Sequence, residues 1–502
     1  MLGLPLIEQI KLPADAPAFY EAFADQPYSF LLDSSLVVEG LGRYSFLGAD
    51  PFLIFRSKGH FLELISKQGK GYSVGHPLLK LKELLNTYKL DLSDFPFPFC
   101  GGAVGYFSYD LGRMLEKLPV WAIDDLFLPD LCLGFYDVVI LVDQISKEGY
   151  IISTGLPETV YKRAYHRARG RLQEMRNILL QHICYPRERR GGEYIQRELL
   201  GNAFQGCEKF IENGIKNSGL FCQFNKESFC QVVRRAKEYI RAGDIYQVNL
   251  AQRFSLPLAA EPWLLYQRLR LINPAPMAAY LDFGDVQVVS ASPERFLKVN
   301  GRQVETRPIK GTRPRGKNAR EDLRLLNELW NSEKDKAELV MIIDLERNDL
   351  GRLCRTGSVR VPELFRLEEY PTVFHLVSTV TGELPPDRSV VDLIEVTFPG
   401  GSITGAPKIR AMEIIEELEP ARRGVYTGSL GYLSFHGDAD LSIVIRTMLI
   451  KDGCVHFQAG GGITADSDPL AEYQETLDKA LALMLALGLD VNFRNQTFFH
   501  IT

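Results

Sequence analysis

The sequence pattern agrees with an α+β protein, because it contains both strand-like and helix-like stretches. Three observations support this class. Residues 1–155 alternate short apolar runs with Gly, Pro and Asp turns, which is typical of β-structure. A strong helical pattern begins at Asn225, and a run with a period of two follows it from Ile245 to Phe254.

The N-terminal region, residues 1–155, is predicted to be a β-rich domain. Its apolar runs predict strands at Tyr28–Leu32, Arg43–Leu47, Phe52–Ser57, Gly101–Tyr106 and Val138–Val142. Leu78–Leu90 has the spacing of an amphipathic helix.

Residues 156–224 are predicted to connect two parts of the chain. An Arg-rich helical pattern runs from Glu158 to Ile183, and the stretch Pro186-Arg-Glu-Arg-Arg-Gly-Gly-Glu193 breaks it. The polar residues that follow, up to Gln223, have weak periodicity. The basic cluster is either a solvated loop or a patch for a partner.

Residues 225–490 form the third predicted region, before a tail at 491–502. Asn225 is a good helix N-cap, and Gly243 ends the helix that it starts. In the strand after it, Gln247, Asn249 and Arg253 share one face. That face is more polar than a core strand needs.

Composition excludes several classes of protein. The 502 residues carry a net charge of −5 without a basic stripe, so nucleic acid is not expected as a partner. The eight cysteines contain no C-x-x-C pair, which argues against a zinc site and favours a reducing cytoplasm. The N-terminus lacks the features of a signal peptide, and no apolar run is long enough to span a membrane.

The stretch Glu305-Thr-Arg-Pro-Ile-Lys-Gly-Thr-Arg-Pro-Arg-Gly316 holds the first candidate catalytic group, Lys310. Its β-branched residues favour a strand, and Gly311 allows close approach of a ligand. A lysine at such a strand end can be a nucleophile if burial or nearby cations depress its pKa. The alternative is a surface lysine in a basic loop.

Two predicted helices carry paired carboxylates. Asp335 and Glu338 share a face of the helix in Ser332–Asp349. Glu472, Glu475 and Lys479 share a face of the helix that Asp468 and Pro469 begin. Each pair alone is typical of a solvated helix face, but two facing pairs would make an all-oxygen Mg²⁺ site.

Groups suited to bind an anion occur near the C-terminus. The glycines Gly460, Gly461 and Gly462 can point backbone N–H groups at an anion, or form a flexible hairpin. Leu441–Leu449 alternates as a single predicted strand, which Arg446 interrupts. That arginine is either paired structurally or binds a carboxylate, and Tyr426 adds a hydroxyl.

Three further candidates have structural alternatives. Glu294, in Ser290-Ala-Ser-Pro-Glu-Arg295, is a general acid or a structural acceptor. His375 lies in an apolar run and is typical of a satisfied core residue. The glycine-rich turn that opens the helix in Phe398–Met412 faces an anion or simply packs tightly.

In sequence, these stretches resemble the chorismate-utilising enzymes. The motifs that carry the resemblance are Asp244-Ile-Tyr-Gln-Val-Asn-Leu, Ser292-Pro-Glu, Pro308-Ile-Lys-Gly-Thr-Arg, Asp344-Leu-Glu-Arg-Asn-Asp-Leu, Gly405-Ala-Pro-Lys, Ile445-Arg-Thr, Gly460-Gly-Gly-Ile and Glu472-Tyr-Gln-Glu-Thr. The resemblance covers about Asn225 to Leu487, and short motifs extend it into residues 1–155. It implies two large antiparallel sheets packed as a sandwich, helices outside, and an interleaved N-terminal region. Residues 225–490 would be the chorismate-binding catalytic domain.

The resemblance also implies roles for the candidates. Asp335, Glu338, Glu472 and Glu475 would surround Mg²⁺, which holds the ring carboxylate of chorismate. Tyr426, Arg446 and Gly460–Gly462 would hold the enolpyruvyl carboxylate. Gly311 and Thr312 would line the ring carboxylate, with Lys479 and His375 near the ring. Glu294 would be the acid that helps the C4 hydroxyl to leave.

Two positions distinguish branches of the family. The water-adding branches have a lysine where this chain has Gln247, so the resemblance excludes their reaction. Pro-Ile-Lys-Gly-Thr around Lys310 resembles aminodeoxychorismate synthases, whereas anthranilate synthases usually have Ala at that position. The resemblance implies amination of chorismate at C4 through a covalent Lys310 intermediate.

Ammonia needs a source, and none of the cysteines lies in the setting of a class I glutaminase nucleophile. A separate glutaminase subunit is therefore expected. Leu31-Leu-Asp-Ser-Ser35 resembles the tryptophan-binding stretch of anthranilate synthase, which makes Ser34 and Ser35 a candidate tryptophan site. Anthranilate synthase and a non-catalytic chorismate binder remain as alternatives.

Overall fold

The computed structural model describes residues 4–10, 15–92, 95–184, 219–370 and 373–489. The predicted helix break at Pro186–Glu193, residues 185–218 of the predicted connecting segment, and the tail 491–502 lie outside these residues.

The described strands form two antiparallel sheets of 12 strands each. The first sheet contains, in spatial order, β1 (Leu6–Ile10), β10 (Glu148–Ser153), β9 (Val138–Asp143), β3 (Tyr44–Gly48), β2 (Ser29–Asp33), β13 (Met277–Asp282), β14 (Val286–Ser292), β23 (Thr447–Lys451), β24 (Cys454–Ile463), β12 (Gln247–Pro257) and β11 (Phe221–Cys222), with β20 (Gly405–Ala406) beside β12. The second contains β17 (Ile309–Pro314), β19 (Val373–Glu383), β16 (Gln303–Arg307), β15 (Arg295–Asn300), β22 (Ala439–Ile443), β21 (Ser429–Ser434), β7 (Gly102–Phe107), β8 (Leu131–Tyr136), β4 (Leu53–Lys58), β5 (Phe61–Ser66) and β6 (Gly69–Val74), with β18 (Arg360–Glu369) beside β19.

The described α-helices lie between these strands in the chain. They are α1 (Ala16–Tyr20), α2 (Pro77–Thr87), α3 (Tyr161–Cys184), α4 (Lys226–Ala242), α5 (Pro262–Ile272), α6 (Ala319–Trp330), α7 (Glu333–Gly351), α8 (Val390–Thr397), α9 (Lys408–Leu418) and α10 (Pro469–Ala486). Short 3₁₀ helices occur at Tyr109–Met114 and Gly401–Ile403. None of the described helices is both long and apolar enough to cross a lipid bilayer.

The period of two along the strands builds two hydrophobic cores. In β9, Val139 and Leu141 enter the core between the two sheets, whereas Val138 and Ile140 enter a second core on the opposite face. Helices α1, α4, α5 and α10 contribute to that second core, so they cover the outer face of the first sheet. The sandwich with outer helices that the sequence predicts is confirmed.

The N-terminal strands are interleaved with those of the C-terminal half. Strand β2 pairs with β13 in the first sheet, and β7 pairs with β21 in the second. Residues 1–155 thus contribute strands to both sheets, as the fold expectation required.

Local sequence signals placed most of the predicted strands and helices within a few residues of their observed ends. Helix α4 has the Asn225 N-cap, whose side chain accepts from the Ser228 N–H, and ends at Gly243 with a φ of 82°. Helix α10 starts with Asp468 as N-cap and Pro469 in its first turn. These caps depend on short-range hydrogen bonds, which is why the sequence reveals them.

The predicted single strand Leu441–Leu449 is wrong. The chain forms β22 in the second sheet and β23 in the first, and Val444–Arg446 cross between them. Arg446 has a φ of 52°, a left-handed backbone conformation that no continuous strand contains. Inward and outward side chains alternate in β22 and again in β23, so the sequence pattern does not reveal that the chain changes sheets between them.

Candidate active site

Lys310 lies on β17 at an irregularity in the pairing with β19. The register shifts between Lys310 and Thr312, and Gly311 between them has a φ of 77°. A Cβ at Gly311 would lie 2.9 Å from Leu329 Cδ1 and 3.0 Å from Asp335, so the close approach requires glycine. The half-buried Lys310 Nζ donates to the Ser402 carbonyl at 3.2 Å. Burial and the nearby Lys479 cation lower the pKa of this amine.

Glu294 lies at the start of β15 and is 5% exposed. The Ser402 hydroxyl donates to Glu294 Oε1 at 2.6 Å. Burial raises the pKa of this carboxyl to about 7, although the Ser402 hydroxyl and the Lys310 ammonium oppose that change. Ser402 therefore contacts both an amine that can become neutral and a carboxyl that can be protonated near neutral pH.

Arg446 and Tyr426 are unpaired groups of the kind that bind an anion. Among the residues that the structure describes, the Arg446 guanidinium has no hydrogen bond or ion pair, and burial lowers its pKa. The Tyr426 hydroxyl likewise lacks a partner within the described ranges, and burial raises its pKa. The Arg446 side chain is half-buried, and a cation without a counterion in such a place is unfavourable, so a bound carboxylate would stabilise this arrangement.

His375 faces Thr312 across the β17–β19 pair. Thr312 Oγ1 lies 2.9 Å from His375 Nδ1, and His375 is 6% exposed. Burial and the Arg446 cation lower the pKa of His375 to about 3, so the ring is neutral at ordinary pH.

On α10, the two carboxylates and the lysine predicted to share a face lie beside Gly461. A Cβ at Gly461 would lie 3.2 Å from Glu475 Oε1, 3.3 Å from Glu472 Oε2 and 3.6 Å from Lys479 Nζ. Lys479 Nζ bonds Glu475 at 2.6 Å and the Gly460 carbonyl at 2.9 Å. The Lys479 cation lowers the pKa of Glu475, while burial raises the pKa of Glu472.

The carboxylates of α7 approach this group. Burial raises the pKa of Glu338, and repulsion from Asp335 and Glu475 adds to the effect. Asp335 Oδ2 accepts from Arg313 Nη2 at 3.0 Å. Glu338 of α7 and Glu475 of α10 are therefore close enough to repel each other, as two facing acidic pairs should.

As they stand, the acidic side chains of α7 and α10 do not form a binding site for a metal ion. Within the described ranges, no group of three or more Asp, Glu, His or Cys side chains is placed to hold one metal ion. The Lys334 ammonium instead lies near the carboxylates, 3.8 Å from Glu338 Oε1. Its charge adds to the lowering of the pKa of Glu475 and partly offsets the rise that burial causes in the pKa of Glu472.

Gln247 is a buried amide that lacks hydrogen bonds. It is fully buried, and neither its Oε1 nor its Nε2 has a partner among the described residues. A Cβ at Gly462 would lie 1.9 Å from Gln247 Nε2, so the amide packs directly over that glycine. An unpaired buried amide is costly, so a hydrogen-bonding partner at this position would stabilise the fold.

Ser34 and Ser35 lie apart from these groups. Ser34 lines a cavity of about 470 Å³ whose lining includes none of the candidate residues above. Ser35 Oγ accepts from the Ala275 N–H and donates to the Ala275 carbonyl, both at 2.9 Å. Ser35 thus fixes a neighbouring loop rather than lining the cavity.

Two residues of the site were absent from the sequence-based candidates. Ser402 joins Lys310 to Glu294, and Lys334 neutralises the acidic pairs. The glycine-rich stretch around Ser402 was a signal for the first, but the sequence does not reveal which face of the turn meets β15 and β17. An exposed lysine on a helix carries no comparable signal.

The site as a whole combines an amine of lowered pKa, a carboxyl that holds a proton to about pH 7, and an unpaired guanidinium. Such a set can bind an anionic substrate, attack it with nitrogen and protonate a leaving oxygen.

Comparisons with known proteins identify the family to which the chain is similar. The family model described as chorismate binding enzyme matches residues 51–485. The chain is 42% identical over 480 residues to anthranilate synthase component 1 of Thermus thermophilus, covering 95% of this chain and 96% of that protein. It is 38% identical over 480 residues to aminodeoxychorismate synthase component 1 of Klebsiella aerogenes, covering 95% and 98%. The crystal structure of anthranilate synthase component I from Streptococcus pneumoniae is 32% identical, with a TM-score of 0.73 over 89% of this chain and 94% of that one.

Proposed function

The chain belongs to the chorismate binding enzymes, and we propose that it is the large subunit of an aminodeoxychorismate synthase. It would convert chorismate and ammonia to 4-amino-4-deoxychorismate, on the route to p-aminobenzoate and folate. The observation that carries the proposal is Lys310, a half-buried amine of lowered pKa that shares Ser402 with the protonatable Glu294.

Substrate binding follows from the charges of the site. Arg446, Tyr426 and the N–H groups of Gly460–Gly462 bind the enolpyruvyl carboxylate. The ring carboxylate lies towards Gly311 and Thr312, with Lys479 and the neutral His375 beside the ring. The unpaired guanidinium of Arg446 supports this orientation, because a bidentate carboxylate satisfies its donors.

Two displacements transfer the nitrogen. The neutral Lys310 amine attacks C2 of the ring, both conjugated ring double bonds shift, and the C4 hydroxyl leaves as water with a proton from Glu294, which then takes a proton from the new C2 ammonium. Ammonia attacks C4, both double bonds shift back, and the lysine leaves from C2 as a neutral amine with a proton from Glu294, which takes one back from the C4 ammonium. Division of one difficult substitution into two lowers each barrier. Gln247, in place of a basic residue, leaves water without a base and favours ammonia as the nucleophile.

Magnesium is the cofactor that we propose, held by Asp335, Glu338, Glu472 and Glu475. The donor set consists of carboxylate oxygens, which Mg²⁺ prefers, and the repulsion between Glu338 and Glu475 favours a bound cation. Some side chains would have to rotate, because as they stand no three of the described acidic groups can hold one ion. When bound, Mg²⁺ would supply positive charge for the ring carboxylate.

The nitrogen donor is proposed to be a separate glutaminase subunit, with free ammonia as a poorer substitute. The cytoplasm is the compartment that we propose. The six cysteines described as free, five of them buried, are consistent with a reducing environment.

Anthranilate synthase is the second candidate. The 42% identity to the Thermus thermophilus enzyme favours it, and it would use the same binding groups. The two activities differ in the carbon that receives nitrogen, so Lys310 is the residue on which the choice depends.

Identification of the product decides between them. Chorismate, Mg²⁺ and ammonium are incubated with the protein and the products are separated by chromatography. We expect 4-amino-4-deoxychorismate; ortho-aminobenzoate would establish the second candidate instead, and binding without turnover would indicate a non-catalytic protein. Lys310→Ala should lose this amination, whereas the exposed Lys317→Ala should retain it. Full product formation by Lys310→Ala would exclude the covalent route.

The cavity beside Ser34 is proposed to bind tryptophan. Its lining combines the apolar Phe46 and Tyr432 with the acidic Asp438 and Asp440, which suits an amino acid with a large ring. Calorimetric titration with tryptophan tests this, and an absence of heat at millimolar tryptophan would refute it.

A further inference from the structure

Glu346 is a buried carboxyl directly behind the turn that carries Ser402. It lies on α7 and is 2% exposed. Its Oε1 accepts from the Gly401 N–H at 3.1 Å, while Oε2 is buried and has no partner among the described residues. The next residue, Ser402, donates its hydroxyl to Glu294 and accepts from Lys310. Glu346 thus holds the peptide on which both candidate catalytic groups converge.

Burial and the neighbouring carboxylates favour the neutral form of Glu346, although the Lys408 ammonium and the Gly401 N–H oppose that change. Asp349, one turn along α7, is also 2% exposed and lies against Lys408 of α9. The Lys408 ammonium bonds Asp349 and the carbonyls of Thr397 and Pro399, the last two at 2.8 and 2.9 Å, so its three donors are all used. Glu294, on β15, is the other acidic group whose charge acts on Glu346. Burial and the Asp349 charge raise the pKa of Glu346 to about 8.

Ionisation of Glu346 would leave a buried anion with one donor and a neighbouring anion. Buried charges without partners are strongly unfavourable, so the side chain would turn towards water and release Gly401. The Ser402 hydroxyl and carbonyl would then lose their positions at Glu294 and Lys310.

We propose that Glu346 is a positioning residue, kept as a neutral acid, whose loss of a proton disables the Ser402 turn and with it the reaction. It acts through Gly401 and does not touch the substrate. The inference rests on the proposed function only because its kinetic test measures the rate of chorismate amination.

The kinetic test compares the wild-type chain with Glu346→Gln, which keeps an acceptor for Gly401 but cannot ionise. Amination is measured from pH 6 to 10 at constant free ammonia. Above about pH 8.5, log kcat/KM of the wild type should fall more steeply than that of Glu346→Gln, by about one unit of slope. Glu346 loses a proton in addition to Glu294 in the wild type alone, whereas deprotonation of Lys310 affects both proteins equally. The matched control is Asp344→Asn, an exposed carboxyl on the same helix that bonds Arg347. It should behave as the wild type, and equal slopes in the wild type and Glu346→Gln would overturn the proposal.

Glu346→Leu removes the acceptor altogether. The unpaired Gly401 N–H is expected to reduce kcat about tenfold at pH 7, with little change in KM for chorismate. An unchanged kcat would refute the positioning role.

A second measurement does not depend on chorismate. Unfolded Glu346 loses its proton above about pH 4.3, whereas the folded side chain keeps it to about pH 8, so folding retains a proton in this interval. The stability of the wild type relative to Glu346→Gln should therefore fall from pH 5 to pH 8 and then level off. A constant difference would refute the neutral acid, even if the protein aminates no chorismate. If Glu346→Gln does not fold, the protonated carboxyl signal of Glu346 is followed by infrared titration of Glu294→Gln, in which Glu294 no longer contributes. If no such signal disappears near pH 8, the proposal is overturned.

Discussion

Substitution of the three consecutive glycines of β24 by alanine separates the stability of the sheet from the chemistry of the site. A Cβ at Gly460 would lie 2.3 Å from the Leu250 carbonyl oxygen, against an ordinary contact of 3.4–4 Å. Backbone of β12 cannot give way by about 1 Å without breaking its pairing, and overpacking of this kind costs about 1–3 kcal/mol. A gain of about 0.4–1 kcal/mol from the less flexible unfolded chain offsets part of it. Gly460→Ala should therefore be less stable by about 1–2 kcal/mol.

At Gly461 the added methyl meets only the ends of side chains. The Glu475 and Glu472 oxygens lie 3.2 and 3.3 Å from it, so each must move by a few tenths of an ångström. The change in stability should stay within about 0.5 kcal/mol. Displacement of carboxylates that we propose to hold Mg²⁺ should lower kcat/KM by about 10- to 100-fold. At the half-buried Gly462, the added methyl would meet Nε2 of the fully buried Gln247 at 1.9 Å, so Gly462→Ala should lose both activity and stability.

Urea unfolding and the rate of chorismate consumption measure the two effects in the same preparations. Gly460→Ala should be the less stable of the first two variants, whereas Gly461→Ala should have the lower activity per folded molecule. This expectation is refuted if Gly461→Ala loses as much stability as Gly460→Ala, or if Gly460→Ala is as stable as the wild type.

Three further predictions concern charge. Arg446→Gln should raise KM for chorismate by about 10- to 100-fold without loss of stability, because it removes an unpaired, half-buried cation; the exposed Arg347→Gln is the control. Burial opposes charge on His436, but Asp438 and Cys100 raise its pKa to about 9, so its stabilising effect is complete below about pH 6.5 and disappears as the pH rises through 9. Urea unfolding should show up to about 3 kcal/mol lost across this window in the wild type, and no such loss in His436→Gln. Removal of Mg²⁺ by EDTA should abolish amination, and added Mg²⁺ should raise the unfolding midpoint of the wild type more than that of Glu475→Gln; activity in excess EDTA would contradict the proposed cofactor.

Local signals predicted the elements that local interactions determine. Asn225, Gly243 and Asp468 cap the helices that the pattern suggested, since each makes its hydrogen bonds within a few residues. The crossover at Arg446 had no such signal, because alternating side chains continue through it while the chain changes sheets.

The site was predictable only as a list of residues, because its geometry depends on long-range packing. Lys310, Glu294 and Ser402 are distant in sequence and meet where β15, β17 and the turn before α9 converge. Periodicity indicated neither this meeting nor the burial of Glu346, which lies on a helix with charged residues on several sides. Resemblance to a family supplied the residue roles, and the structure adds contacts, charges and exposures.

The pairing of β2 with β13 and of β7 with β21 also constrains how the chain is made. Neither sheet can be completed until strands from the second half of this chain have been synthesised. The first 150 residues must therefore wait with unsatisfied strand edges, which is a state prone to aggregation. Synthesis of this protein should depend on chaperones that shield those edges more than its modest size suggests.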